Sequence, residues 1–119
     1  MIKWIPLNKE TQVADIIRES HQVPCLIFKH STRCSISETA KNRLERQWGF
    51  ADNVLQPYYL DLLNYRAISN QVAEVFEIHH ESPQVLLIVN GECIFDDSHQ
   101  AISVAEIKEA LDTAYQHTS

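Results

Sequence analysis

The fold is decided by the stretch Pro24-Cys25-Leu26-Ile27-Phe28-Lys29-His30-Ser31-Thr32-Arg33-Cys34-Ser35-Ile36-Ser37. Residues 25–28 form a fully apolar run of the length of a short buried strand. A polar turn follows and leads to a single cysteine, Cys34. Helical spacing of apolar side chains then begins, at Ile36, Ala40, Leu44 and Trp48. The pattern predicts a strand that delivers Cys34 to the start of a helix.

The start of a helix is where a thiol gains reactivity. The first backbone N–H groups of a helix have no partner within it, and the helix dipole is positive at this end. Both effects favour the thiolate, which is the nucleophile in disulfide chemistry. Cys34 is therefore predicted to be the reactive residue. Ser35 and Glu38 have capping-box spacing, which predicts that the first turn of this helix is firmly held.

Charge is unevenly distributed along the chain. The net charge is −6, but residues 29–46 hold five Lys or Arg against two Glu, so this segment is +3 and the remainder is −9. A solvated helix face is the commoner origin of such a run. A local positive field would also favour a thiolate and attract small anionic thiols. The acidic total argues against a nucleic-acid-binding surface.

Length and composition predict one domain, residues 1–119, with 45% hydrophobic residues to form its core. No apolar stretch approaches the roughly 20 residues that a membrane span needs, and residues 1–6 lack the apolar core of a secretory signal. The expected location is the cytoplasm, and no membrane partner is expected.

The three cysteines do not predict a disulfide framework or a metal site. Cys25 and Cys34 lie too far apart along one strand and turn for the Cα separation of roughly 4.4 to 6.8 Å that a disulfide allows. Cys25 and Cys93 are interpreted as small buried hydrophobes, and Cys93 lies too far from the Pro83 end of its hairpin to resolve Cys34. The pair His79-His80 is interpreted as solvated loop residues rather than metal ligands.

Helices and strands alternate along the rest of the chain. The expected elements are a strand at Trp4-Ile5 closed by Pro6, a helix from an Asn8 N-cap to Ser20, the strand at 25–28, a helix to Trp48 stopped by Gly49, a strand at 58–62, a helix at 66–78, a strand at 85–89, an Asn90-Gly91 hairpin into a strand at 92–96, and a last helix opened by the capping box Ser103 to Glu106. The order β-α-β-α-β-α-β-β-α predicts an α/β fold, with a mixed sheet covered by helices on both faces.

This order, with Cys34-Ser35-Ile36-Ser37 at a strand-to-helix turn and Ser82-Pro83 before the fourth strand, resembles the thioredoxin superfamily. The redox motif there is C-x-x-C, whereas Ser37 makes the pattern here C-x-x-S. More narrowly, residues 28–37 resemble the YtxJ-like, monothiol bacilliredoxin family, whose motif has the form F-K-H-S-x-x-C-x-I-S. The resemblance runs from Trp4 to the last helix and implies a thioredoxin-like fold.

Two positions depart from the family pattern. Ser35 stands where many relatives have proline, which changes the rigidity of the loop and leaves the redox potential open. Arg33 precedes the cysteine where threonine is common, which adds a positive charge beside Cys34.

The resemblance implies a thiol-disulfide oxidoreductase active in stress response. Ser37 cannot resolve a mixed disulfide on Cys34, so an external thiol must do so. The implied substrates are client proteins whose cysteines are capped by bacillithiol or a related low-molecular-weight thiol, which acts as co-substrate. No permanently bound cofactor is expected.

The resemblance also suggests roles for neighbouring residues. Lys29, His30 and Arg33 are candidates for stabilising the thiolate or contacting the anionic cap. Ser37 is a candidate for donating a hydrogen bond to the sulfur. The Ser82-Pro83 peptide bond is expected to be cis, with the Ser82 backbone facing an extended client peptide.

Other functions stay open on the sequence alone. One is a monothiol glutaredoxin-like protein that uses glutathione. Another, of a different class, is a non-catalytic thioredoxin-fold binding module or a thiol-based redox sensor. Iron–sulfur cluster binding by a dimer through Cys34 is disfavoured, because no second ligand is recognisable. A monomer is expected.

Overall fold

The computed structural model describes residues 2–117, and side chains as far as residue 114. The elements within this range are β1 (Ile5–Pro6), α1 (Thr11–Glu19), β2 (Cys25–His30), α2 (Ser35–Gln47), β3 (Gln56–Asp61), α3 (Arg66–Val75), β4 (Gln84–Val89), β5 (Glu92–Ser98), a 3₁₀ turn (His99–Ala101) and α4 (Val104–His117). The predicted order of strands and helices is confirmed, and the 3₁₀ turn is added to it.

The five strands form one mixed sheet in the order β1-β3-β2-β4-β5. β2 lies at its centre, parallel to β3 and antiparallel to β4. β1 pairs in parallel with β3, and β5 closes the other edge antiparallel to β4. The predicted mixed sheet with helices on both faces is therefore confirmed.

All six residues of β2 are buried, and their side chains alternate between two cores. Leu26 and Phe28 belong to the core beneath α2 and α4, whereas Cys25 and Ile27 belong to the core beneath α1 and α3. A strand buried on both faces has a continuous run of apolar residues, and this run is the pattern that predicted β2. The two remaining residues of β2, at its carboxyl end, are polar and buried, and they lie next to the Cys34 turn.

Helix α1 begins at Thr11, so the predicted N-cap at Asn8 is wrong. Oε1 of Gln12 accepts hydrogen bonds from the backbone N–H groups of Asn8 and Lys9, both at 2.9 Å. A side chain from inside the helix therefore satisfies these donors. Glu10, with φ −60° and ψ −33°, stands at the N-cap position instead of Asn8.

The ends of α2 and α3 also differ from the prediction. α3 ends at Val75 rather than Ile78. α2 ends at Gln47, and Trp48 is already extended, with φ −63° and ψ 117°. The Trp48 ring packs on Phe50, with centroids 4.9 Å apart, and on Trp4 at 6.4 Å. The helix ends where Trp48 joins this aromatic cluster, so Gly49 is not its stop.

The predicted hairpin between β4 and β5 is confirmed. Asn90 and Gly91 have φ angles of 52° and 80°, the left-handed pair that a tight two-residue hairpin requires. Within the described residues, no helix combines the length and apolarity needed to cross a membrane.

Candidate active site

Cys34 occupies the N-cap position of α2, at the end of the turn that leaves β2. Its backbone is extended, with φ −111° and ψ 122°, and the residue is half-buried. Its N–H donates to the carbonyl of Ser31 at 3.2 Å, and its own carbonyl accepts from the N–H of Glu38 at 3.1 Å. The turn and the first helical hydrogen bond thus fix the backbone of the cysteine.

The predicted capping box at this helix start is wrong. Ser35 is the first helical residue rather than the cap, and the Glu38 carboxylate turns towards the sheet. In the part of the chain that the structure describes, no hydrogen bond is donated by the backbone N–H of Ser35, Ile36 or Ser37. These three donors, at the positive end of the helix dipole, remain available to a thiolate or an incoming anion.

Ser37 holds the turn together from below. The residue is fully buried, and its Oγ accepts a hydrogen bond from the backbone N–H of Ser31 at 3.0 Å. The hydroxyl oxygen therefore ties the start of the turn to α2. The donation from Ser37 to the Cys34 sulfur stays a prediction.

His30 is buried directly behind the turn. Its side chain is 1% exposed, with Nε2 lying 3.4 Å from Oε2 of Glu38. Burial lowers the pKa of His30, and the Glu38 carboxylate opposes that shift. Among the described residues, Nδ1 of His30 and Oδ1 of Asp61 are buried without hydrogen-bond partners, although the two residues pair across β2 and β3. The imidazole is therefore neutral at pH 7 and lies out of reach of a ligand in solvent.

Lys29 points to the opposite side of the sheet. It is fully buried, and its Nζ donates to the carbonyl of Ser69 in α3 at 3.2 Å and lies 3.2 Å from Nδ1 of His80. Burial lowers the pKa of Lys29 to about 8. Of the three basic residues that the sequence suggested near Cys34, Arg33 alone is exposed.

The Ser82–Pro83 peptide bond is cis, as the family resemblance implies. Lys29 and Gln84 are register partners, so Pro83 lies at the carboxyl end of β2, the end that leads to Cys34. The carbonyl of Pro83 accepts a hydrogen bond from the N–H of His99 at 2.9 Å. His99, with φ 55°, is a neighbour of this region that sequence reasoning missed, because nothing local marks it.

A shallow cleft opens beside the first two turns of α2. Its volume is about 280 Å³, and its lining comprises Ser35, Ile36, Thr39, Ala40, Arg43, His99 and Gln100. Arg43 donates from Nη1 to the carbonyls of Gln100 and Ile102, at 3.1 and 3.0 Å, and so holds the 3₁₀ turn against α2. Ile36 is 46% exposed, which leaves an apolar surface next to Cys34.

The other two cysteines lie at the far end of the sheet. Cys25 begins β2, and Cys93 lies opposite Ile88, the residue that pairs with Cys25. All three thiols are unpaired. Burial raises the pKa of Cys25 to about 12 and that of Cys93 to about 11, so both are unreactive thiols at neutral pH.

The histidine pair is only partly the solvated loop that the sequence suggested. His79 and His80 are both exposed, but Nδ1 of His80 also lies 3.4 Å from Oγ of Ser69. Within the described residues, no group of three or more His, Cys, Asp or Glu side chains could hold a metal ion.

Known proteins with this architecture include several redox proteins. A structure described as having a thioredoxin fold is 30% identical, with a TM-score of 0.74, over 89% of this chain and 91% of that one. The thioredoxin of Trypanosoma brucei brucei has the same TM-score at 10% identity, over 96% and 92% of the two chains. The thioredoxin of Fasciola hepatica has a TM-score of 0.69 at 11% identity, over 91% and 96%. These two thioredoxins show the fold alone.

The sequence itself matches a narrower group. Residues 5–107 match the family described as monothiol bacilliredoxin BrxC. This match contains every residue of the site, from the β2 turn through the cis proline to the 3₁₀ turn. The α/β sheet and the C-x-x-S turn agree with that assignment, and the family and fold together support a role of the thiol oxidoreductase type. The chain belongs to the monothiol bacilliredoxin family of the thioredoxin superfamily.

Proposed function

We propose that this protein removes bacillithiol, or a related low-molecular-weight thiol, from mixed disulfides on other proteins. The observation that carries the proposal is that the motif has a cysteine, Cys34, at its first position and a serine, Ser37, at its second. Cys34 is half-exposed at the N-cap of α2, whereas the second position of the C-x-x-C pattern holds a buried serine engaged with the Ser31 backbone. Such a site can attack a disulfide but has no second thiol to resolve the product.

The reaction follows from thiol–disulfide exchange. The Cys34 thiolate attacks the sulfur of the cap, and a bond forms between these two sulfurs as the bond from cap to client breaks. The client leaves as a thiolate and takes a proton from solvent, while Cys34 retains the cap as a mixed disulfide. The thiolate of an external thiol then attacks the cap sulfur, forms a disulfide with the cap, and releases Cys34 as a thiolate. No net oxidation occurs in the first step, because one disulfide replaces another.

Three features support recognition of a capped protein. Arg33 is exposed beside the reactive cysteine and suits an anionic cap. The cleft beside α2 offers space next to Ser35 for a small molecule. The half-buried Ser82, before the cis proline, offers backbone groups for pairing with an extended client segment.

The proposal places the protein in the cytoplasm as a monomer. Its three unpaired cysteines suit a reducing compartment. Its partners are then S-thiolated client proteins and the small thiol, with no bound cofactor.

Intact-protein mass spectrometry with peptide mapping tests the proposal. The reduced protein is mixed with a client protein capped by bacillithiol, and in parallel with the same client capped by glutathione. We expect a gain of one bacillithiol mass on Cys34 with release of reduced client, and little transfer from the glutathione form. Cys34→Ser should abolish transfer, whereas the matched control Cys93→Ser should retain it.

Other results would redirect the assignment. Equal or better transfer from the glutathione-capped client would indicate a glutaredoxin-like protein. A cap that moves once to Cys34 but is not released by excess thiol and reductase would indicate a redox sensor. No transfer from either client, with Cys34 still open to alkylation, would contradict the proposal and leave a binding module.

A further inference from the structure

The loop between α3 and β4, residues 76–83, is held to the sheet by buried polar side chains. Lys29 contributes a buried ammonium that contacts His80 in this loop at 3.2 Å and the carbonyl of Ser69 at 3.2 Å. A lysine ammonium only donates hydrogen bonds, so Nδ1 of His80 must accept, which places the ring proton on Nε2. The contact therefore fixes both the position of His80 and its tautomer.

Gln84 supplies a second attachment beside Lys29. The two residues are register partners on β2 and β4, so their side chains lie on the same face of the sheet. Nε2 of Gln84 donates to the carbonyl of His79 at 3.0 Å, and its Oε1 accepts from the N–H of Glu81 at 3.4 Å. The loop thus meets polar groups of two adjacent strands immediately before Ser82.

Stability alone does not account for a lysine at this position. Ile27, Leu86 and Ile88 form an apolar core around the central strand on this face, and Lys29 adds a charge beside the buried neutral side chains of Ser69 and Gln84. Burying a charge there is unfavourable, and replacing buried ionic groups by well-packed apolar residues is often neutral or stabilising. Nor does Lys29 face α2 and its reactive cysteine, because its Nζ reaches α3 on the other side of the sheet.

We propose that Lys29 is a positioning residue for client binding, which acts through His80 on the loop that carries Ser82. This inference rests on the proposed function, because it takes the backbone of Ser82 as a surface for the client peptide. The ammonium holds the loop at the carboxyl end of β2, where Ser82 and Cys34 can meet the same extended segment. Without it, the loop keeps the Gln84 attachment and the 3.4 Å contact of His80 with Ser69, but His80 loses its link to β2.

Two variants test the inference from both sides of the contact. Lys29→Met keeps an unbranched side chain that is one heavy atom shorter and removes the charge. His80→Ala removes the acceptor without changing the sheet. Lys108→Met, on an exposed residue of α4, is the matched control. The readouts are amide hydrogen exchange of residues 76–82, the rate at which iodoacetamide alkylates Cys34, and KM and kcat with a bacillithiol-capped client.

We expect faster exchange in the loop of both variants and a KM for the capped client raised about tenfold, which corresponds to the loss of about one hydrogen bond. The alkylation rate and kcat should stay at the wild-type values, and the double variant should resemble either single one, because both break the same contact. His80→Ala keeps the test decisive if Lys29→Met does not fold.

Three results would overturn the inference. If amide hydrogen exchange in the loop is as slow in both variants as in the wild-type protein, the contact between Lys29 and His80 does not hold the loop. A fall in kcat or in alkylation rate at unchanged KM would place Lys29 in the chemistry of Cys34 instead. Faster loop exchange with unchanged KM would leave an anchor with no part in client binding. If the wild-type protein transfers no cap, the proposed function fails on its own. Hydrogen exchange then still tests whether the contact of Lys29 with His80 holds the loop.

Discussion

Oγ of Ser37 lies 3.0 Å from the backbone nitrogen of Ser31 and accepts its hydrogen bond. A buried side chain in the first turn of α2 is therefore tied to the residue that follows β2. The bond spans the turn that presents Cys34. Ser37 stands at the position where a dithiol protein has its resolving cysteine. Ser37 therefore has two effects: it leaves the site with a single thiol, and it fixes the turn that presents Cys34.

Ser37→Cys should convert the one-thiol site into a dithiol one. The thiol introduced at position 37 has the C-x-x-C spacing, so it can displace the cap from Cys34 and form an internal disulfide. We expect the capped form to disappear from the mass spectrum, replaced by a species that has lost a pair of hydrogen atoms. The free energy of unfolding should fall by about 1 kcal/mol, because the Ser31 N–H loses a good acceptor.

Ser37→Ala is the control for this change. It loses the same hydrogen bond and adds no thiol, so its capped form should accumulate as in the wild-type protein. Persistence of the capped form in Ser37→Cys would show that position 37 cannot reach the sulfur of Cys34.

Only Cys34 should react rapidly with iodoacetamide in the folded protein at neutral pH. Burial raises the pKa of Cys25 to about 12 and that of Cys93 to about 11, so neither forms appreciable thiolate. Peptide mapping after a short exposure to iodoacetamide checks this order of labelling. Rapid labelling of Cys93 would contradict the assignment of Cys34 as the reactive thiol.

Cys25→Ser should lower the free energy of unfolding by about 1 to 3 kcal/mol, because it buries a hydroxyl in an apolar core. Urea titrations of the variant and the wild-type protein measure this difference.

Local pattern predicted the placement of Cys34 at the start of α2, because each of its signals lies within a few residues. The apolar run at 25–28, the helical spacing after Cys34 and the serine three residues later are all contiguous in sequence. Contacts across the fold gave no such signal. The bond from Arg43 to the carbonyl of Ile102 spans 59 residues, and nothing near either residue announces it.

The direction of Lys29 was hidden for a different reason. β2 is buried on both faces, so its residues show no alternation of polar and apolar types until the strand ends. Lys29 and His30 then look alike in sequence, as two basic residues before a reactive turn. The alternation of a strand sends one to each face, and only the packing of α3 against the sheet decides which residue meets Ser69.

Glu38→Gln should lower the pKa of His30 further. Burial already holds that pKa below 6.5, and the Glu38 carboxylate, 3.4 Å away, counteracts the effect of burial. Without the negative charge of Glu38, burial lowers the pKa of His30 with less opposition from its neighbours. NMR titration of the imidazole signals measures the shift directly. Glu81→Gln, which removes the partner of His99, is the control and should leave His30 unchanged. A rise in the pKa of His30 would contradict the stabilising effect of the Glu38 carboxylate on its protonated form.

The buried ammonium of Lys29 should make the wild-type protein gain stability with rising pH relative to Lys29→Met. Burial lowers the folded-state pKa of Lys29 from 10.5 to about 8. Between these values the unfolded chain binds more protons than the folded one, so the free energy of unfolding increases with pH. Below pH 8 both states are protonated and the difference from Lys29→Met should be constant.

Urea titrations of both proteins from neutral pH to pH 10 measure this difference. Comparison with Lys29→Met cancels the titration of the cysteines and tyrosines, which both proteins share. His80 is neutral throughout this window, because burial and Lys29 lower its pKa below 6.5. Lys108→Met should follow the wild-type curve, since Lys108 is exposed on α4. A constant difference between wild type and Lys29→Met across pH 8 to 10 would show that the lysine titrates as it does in solvent, and that its charge is not confined in the core.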